Sequence, residues 1–263
     1  MTVRATPPGL APLLELLELE QPAVVTTRDL ARLSSDAGVG WPLNVIAQRL
    51  RERGWLLPLK TRGVWEFAPA ARAGAFGSGD PLIELRAVLA RDPDAPYAVA
   101  AESAAFLLGL SSRRPDRETI GAPPGRRVPD ALADFRVARW SPVTPLARRD
   151  GLPTWSLETL LAYVATRPSG YHDWPNVGEW LKLAASAVRV AELARELDGR
   201  SAGSWARAAY LLELGGAGAV ARALYAQAPA GSGPHYLGDR SRPGRHDRTY
   251  DVIDSTGIEV RAE

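Results

Sequence analysis

Apolar positions recur with helical period over Trp41–Pro69, WPLNVIAQRLRERGWLLPLKTRGVWEFAP. Leu43, Ile46, Ala47 and Leu50 fall at i, i+3, i+4 and i+7, which gathers them on one side of a helix. Asn44, Val45, Gln48, Arg51 and Glu52 lie opposite, with Arg49 at the border. Pro42 suits a first helical position, where a missing N–H costs nothing. Gly54 is expected to close the helix with a positive φ. Trp55–Leu57 and Val64–Phe67 then read as two strands of a hairpin, with Lys60 and Arg62 in the linker and Gly63 at the bend.

Upstream, Leu10–Glu20 predicts a helix with a broad face of Leu13, Leu14, Leu16, Leu17 and Leu19, ended by Gln21-Pro22. Ala23–Val25 is a short β-like run. Thr26 is a good N-cap for a second helix, with Asp29 as its capping-box partner. Helix, short strand, helix, turn, helix, hairpin is the order of a winged helix-turn-helix.

The remaining pattern is mixed. Helices are predicted over Leu82–Ala90, Leu157–Ala165 behind Ser156 as N-cap, Val177–Ser186, Val188–Leu197, Ser204–Leu214 and Ala219–Gln227. Tyr97–Leu110 is a short apolar start followed by a buried helix ending at Gly109. Glu118–Gly121 and Phe135–Trp140 read as strands. The tail from Gly231 reads as loop, closing in a hairpin of Tyr250–Asp254 with Ile258–Val260. Small residues over Ala70–Asp80 suggest a linker. The expected class is α+β and mainly helical. A winged-helix domain over 1–75 precedes a larger mixed α/β domain over 80–263.

Composition narrows the function. The chain has 263 residues, no cysteine and a formal net charge of +2. Cysteine chemistry is therefore excluded, and bulk charge does not signal nucleic acid. Charge is unevenly placed, however. Between Thr26 and Gly63, Arg28, Arg32, Arg49, Arg51, Arg53, Lys60 and Arg62 face only Asp29, Asp36 and Glu52. That local excess lies where duplex phosphates would lie. With no signal peptide and no apolar run long enough to span a bilayer, a soluble cytoplasmic protein is expected.

The candidate DNA contacts follow from residue type. Thr27 and Arg28 would hold phosphate at the second helix start. Trp41 stands at the start of the third helix and joins the same surface. Asn44, Gln48 and Arg49 would reach base edges, because Asn and Gln pair with adenine and Arg with guanine. Arg51 and Arg53 would hold backbone, and Lys60 and Arg62 would grip from the wing.

Other candidate sites favour plainer readings. Gly216-Ala217-Gly218-Ala219-Val220-Ala221 has dinucleotide-fingerprint spacing, but a helix precedes it, so a helix–helix turn fits better. His235, Asp239, His246 and Asp247 lack regular ligand spacing, and no metal or cofactor is expected. His172 beside Asp173 reads as an ordered loop pair. Tyr171, Trp174 and Trp180 could form a partner-binding patch. No nucleophile elbow or Walker loop is present, so no enzyme is expected.

Two stretches carry a family resemblance. The first is Arg49-Leu50-Arg51-Glu52-Arg53-Gly54-Trp55-Leu56 with Arg62-Gly63-Val64-Trp65-Glu66-Phe67-Ala68-Pro69. The second is Tyr97-Ala98-Val99-Ala100-Ala101-Glu102-Ser103-Ala104-Ala105-Phe106-Leu107-Leu108-Gly109-Leu110, followed by a Pro-rich basic loop and Asp150-Gly151-Leu152-Pro153-Thr154. In this order they resemble the AbiEi antitoxins of type IV abortive-infection toxin–antitoxin pairs, over residues 10 to 225. The resemblance implies a winged helix that binds inverted repeats in its own promoter and represses the operon. It also implies a C-terminal domain that counters a nucleotidyltransferase-like toxin without a stable complex being required. The alternative is a winged-helix regulator whose C-terminal domain senses a small molecule.

Overall fold

The structure is a computed structural model that describes residues 6–71 and 77–259. The middle of the expected linker, residues 72–76, and Val260 of the expected terminal hairpin lie outside the described residues. The chain divides into two compact units. The first comprises residues 1–96 with 127–134, and the second 97–126 with 135–263. The helix after the linker therefore belongs to the first unit, together with a short segment from much later in the chain.

In the first unit, helix α1 spans Ala11–Glu20, strand β1 Val24–Thr26, α2 Thr27–Asp36 and α3 Leu43–Glu52. Strands β2 (Leu56–Pro58) and β3 (Val64–Phe67) form the hairpin, and α4 (Ile83–Arg91) follows. The sheet order is β1-β3-β2, antiparallel throughout, with Val25 opposite Trp65 and Leu57 opposite Glu66. Leu13, Leu17, Leu30, Leu33, Ile46, Leu50, Leu56 and Phe67 fill one core. Burying each such side chain contributes roughly 1.5–3 kcal/mol.

Several local devices match their residues. The Thr26 hydroxyl accepts the Asp29 N–H at 3.1 Å, and the Asp29 carboxylate accepts the Thr26 N–H at 2.9 Å. This closes the capping box that starts α2. At the end of α3, Gly54 takes φ 72° and the Trp55 N–H reaches back to the Leu50 carbonyl at 2.8 Å, which stops the helix. Two expectations shift. Pro42 is the N-cap of α3, with extended ψ of 136°, so the helix starts one residue later. Leu19 is 81% exposed, because it sits two residues, hence about 200°, from buried Leu17.

In the second unit, β4 (Ala98–Val99), β5 (Thr119–Ala122), β6 (Arg136–Arg139), β7 (Ala147–Arg149) and β8 (Leu152–Thr154) form a mixed sheet of order β6-β5-β4-β8-β7. Helix α5 (Ala101–Leu107) lies between β4 and β5 in the chain. Helices α6 (Leu157–Thr166), α7 (Trp174–Ala187), α8 (Val190–Leu197), α9 (Ala202–Leu214) and α10 (Gly218–Tyr225) follow the sheet. Their core holds Trp140, Trp155 and Trp180, each at most 2% exposed. Gly121 is required by this packing: a Cβ there would stand 2.6 Å from Trp155 Nε1.

The tail departs from the expected loop. Strands β9 (His235–Leu237), β10 (Arg245–Asp247) and β11 (Val252–Asp254) make a small sheet of order β10-β11-β9. Val252–Asp254 therefore pairs with Arg245–Asp247 and His235–Leu237, and not with Ile258 or Glu259. The strands are three residues long, too short for a periodic signal in a basic segment. β7 and β8 form a further hairpin beyond the strands expected from the sequence. Asp150 and Gly151 both take positive φ there, 49° and 72°, as a two-residue type I′ turn needs.

Candidate nucleic-acid interface

Helix α3 buries Ile46, Ala47 and Leu50 and leaves Asn44, Gln48, Arg49, Arg51, Glu52 and Arg53 exposed. One side chain in every three or four points inward, so the remaining polar residues form a continuous outer face. Gln48 donates to Glu52 at 2.9 Å one turn on. The Arg49 guanidinium lies 6.0 Å from the Trp41 ring centroid, at the outer limit of a cation–π contact. Trp41 is 38% exposed and lies close above Gly9.

The positive residues of this unit separate into two groups. Arg32 is held by Glu20 at 2.9 Å and Asp36 at 3.4 Å. Lys60 pairs with Asp134. Arg28, Arg49, Arg51, Arg53 and Arg62 are all exposed, and none forms an ion pair with a described residue. Helix α3 and its C-cap thus present three guanidiniums with no ion pair among the described residues, with Arg28 on α2 and Arg62 on the hairpin.

The tip of the hairpin differs from the free finger expected. Its Lys60 N–H donates to Glu84 of α4 at 2.8 Å, and the Thr61 hydroxyl lies 3.4 Å from the same carboxylate. The Lys60 ammonium donates to Asp134, whose attraction holds its pKa above the usual lysine value. At the other end of the loop, Thr27 donates both its N–H (3.0 Å) and its hydroxyl (3.1 Å) to the Gly63 carbonyl. Thr27 therefore anchors the hairpin to the start of α2, and its donors are occupied. Neither Glu84 nor Asp134 carries a local sequence signal, since Asp134 lies 74 residues from its partner.

The aromatic trio is mainly structural. Tyr171 and Trp180 are 3% and 1% exposed and sit in the core of the second unit, where they offer no partner surface. Burial and the nearby Glu102 charge push the Tyr171 phenol well above its ordinary pKa. Trp174 is half-buried; it stacks edge-on with Tyr171 at 5.7 Å and donates to the Pro168 carbonyl at 3.2 Å. His172 uses its backbone N–H, donating to Glu102 at 2.6 Å. Gly216–Gly218 is the turn between α9 and α10, with Gly216 at φ 89°. His246 faces Asp251 at 2.8 Å. Among the described residues, no group of His, Asp and Glu has metal-holding geometry, and no helix is long and apolar enough to cross a membrane.

The fold is mixed α/β and mainly helical, in two compact units. A family model described as the AbiEi antitoxin C-terminal domain matches residues 97–214. The chain belongs to the AbiEi family of antitoxins, the non-toxic half of a toxin–antitoxin system. It is similar to the RV2827C protein from Mycobacterium tuberculosis, solved as a crystal structure. The two share 31% identity with a TM-score of 0.78, over 96% of this chain and 93% of that one. No curated protein matches.

Proposed function

We propose that the first unit binds double-stranded DNA and represses transcription of its own operon, while the second counters a nucleotidyltransferase-like toxin. One observation carries the DNA reading: the outer face of α3 is polar, exposed and lined by arginines that form no ion pair among the described residues. Unpaired guanidiniums on a helix of this width suit the major groove and its phosphate rims.

In this reading Gln48 and Arg49 read base edges with Asn44. Arg28, Arg51, Arg53 and Arg62 hold phosphates. Trp41 orients Arg49 across its ring. Lys60 and Thr27 shape the hairpin and contribute little direct grip, because Asp134 offsets the Lys60 charge and the Gly63 carbonyl takes both Thr27 donors. The toxin assignment rests on family membership and requires no stable complex.

The test is competition binding of the full chain to a duplex from upstream of its own reading frame, against a shuffled duplex. Wild type is expected to prefer the upstream duplex. Gln48→Ala or Arg49→Ala should each erase about 1–3 kcal/mol of that preference while sparing binding to shuffled DNA. Equal losses on both duplexes would overturn base reading by α3.

A further inference from the structure

The hairpin of the first unit carries two cations between its strands, Lys60 and Arg62, and the chain treats them differently. Arg62 is exposed and forms no ion pair among the described residues. Lys60 is engaged twice. Its backbone N–H donates to Glu84 on α4 at 2.8 Å, and its ammonium donates to Asp134.

The two acids share one support. Asp134 closes the segment 127–134, which joins the first unit although it lies in sequence between β5 and β6. A 3₁₀ turn in that segment, Asp130–Leu132, packs against α4, the helix that carries Glu84. Leu132 is fully buried. Packing therefore places Asp134 beside Lys60, and the ion pair need not hold itself together. That matters because both side chains are exposed, Lys60 by 50% and Asp134 by 77%. An exposed pair adds little to stability. Its consequence is for binding. A carboxylate kept beside the ammonium offsets the charge that a phosphate would meet, and it repels the phosphate itself.

We propose that Asp134 is a built-in brake on DNA binding: it masks the Lys60 ammonium at the hairpin tip, so the duplex is gripped by one cation fewer than the sequence offers. This regulation rests on the DNA reading above and adds to it, since loss of the Asp134 charge strengthens the grip.

Duplex binding by Asp134→Asn, Lys60→Ala and the double variant tests the brake, on the upstream and the shuffled duplex over a range of salt. At about 0.1 M salt, Asp134→Asn should bind both duplexes roughly two- to fivefold more tightly than wild type. Its plot of log Kobs against log salt should steepen by about 0.9, the value of one phosphate contact. Lys60→Ala alone should change little, and added to Asp134→Asn it should abolish both gains. Acetylation gives a readout without DNA, measured by peptide mass spectrometry at Lys60 against Lys182, the only other lysine. Lys60 should react faster in Asp134→Asn, because an amine held protonated by a carboxylate is a poor nucleophile. The brake is overturned if Asp134→Asn binds duplex like wild type, or if Lys60 is acetylated equally fast in both chains. It is overturned too if the gain survives removal of Lys60, which would make it an effect of net charge. The DNA reading is judged separately, by the preference of wild type for the upstream duplex. Equal binding by wild type and Asp134→Asn leaves that preference standing, whereas no duplex binding by either chain removes both.

Discussion

The two units treat charge in opposite ways. In the second, two buried carboxylates are surrounded by donors. The fully buried Glu196 carboxylate accepts from Trp140 Nε1 at 3.2 Å, the Val143 and Thr144 N–H groups at 3.0 and 2.8 Å, and the Thr144 and Thr159 hydroxyls at 2.7 and 2.8 Å. Glu158 is matched by Arg189 through side chain and backbone. In the first unit, five arginines are exposed and form no ion pair among the described residues, while Lys60 nearby is paired with Asp134. A saturated buried carboxylate holds a structure together. An unsaturated cluster of exposed guanidiniums on one helix face is available to something outside the chain, and their grouping says more than net charge does.

The largest effect should come from the saturated side. Glu196→Ala takes the acceptor from the Trp140 and Thr144 N–H groups in the interior and from the Val143 N–H, leaving the Thr144 and Thr159 hydroxyls only each other and Ser156, and should destabilise the second unit by about 3–5 kcal/mol in urea unfolding. Glu196→Gln keeps the oxygen that serves four of those donors, so its loss should be far smaller. Equal losses for the two variants would show that packing, not donor satisfaction, sets the cost.

Next is the frame of the interface. Thr26→Ala removes the capping box of α2 and should cost the first unit about 1 kcal/mol. Hydrogen exchange in α2 and the hairpin would report it. Unchanged protection would mean the cap does not support the unit.

A smaller effect concerns acid. Burial of Glu158 would raise its pKa, but the hydrogen bonds and charge of Arg189 outweigh this and hold it below the ordinary 4.5. The ionised form therefore stabilises the fold above that value, and the contribution disappears as pH falls through the lowered pKa. The stability gap between wild type and Glu158→Gln should narrow as pH drops below about 4.5. A gap that is constant with pH would remove the ion pair from the account.

The comparison also marks what the sequence could reveal. The inward face of α3, the Thr26 cap and the Gly54 stop are short-range features, and each was legible from period and residue type. The Asp150-Gly151 turn is equally local, yet the three-residue strands on either side of it, with their Arg and Pro, give no alternation to announce a hairpin. The hold of Glu84 and Asp134 on the hairpin was not legible, nor was the gathering of Thr144, Thr159 and Glu196. Both depend on residues brought together across tens of positions, the last separated by 37 and 52. The exposed arginines were readable as residues, but their lack of partners was not, since that depends on where every carboxylate lies.

The salt dependence of duplex binding tests the central claim most directly. For the full chain on its upstream duplex, log Kobs should fall linearly with log salt. Arg51→Ala with Arg53→Ala should flatten the slope by about 1.8, at about 0.9 per lost phosphate contact, and Lys60→Ala should barely change it. If the double variant keeps the wild-type slope, or Lys60→Ala flattens it as much, the unpaired arginines of α3 are not what holds DNA.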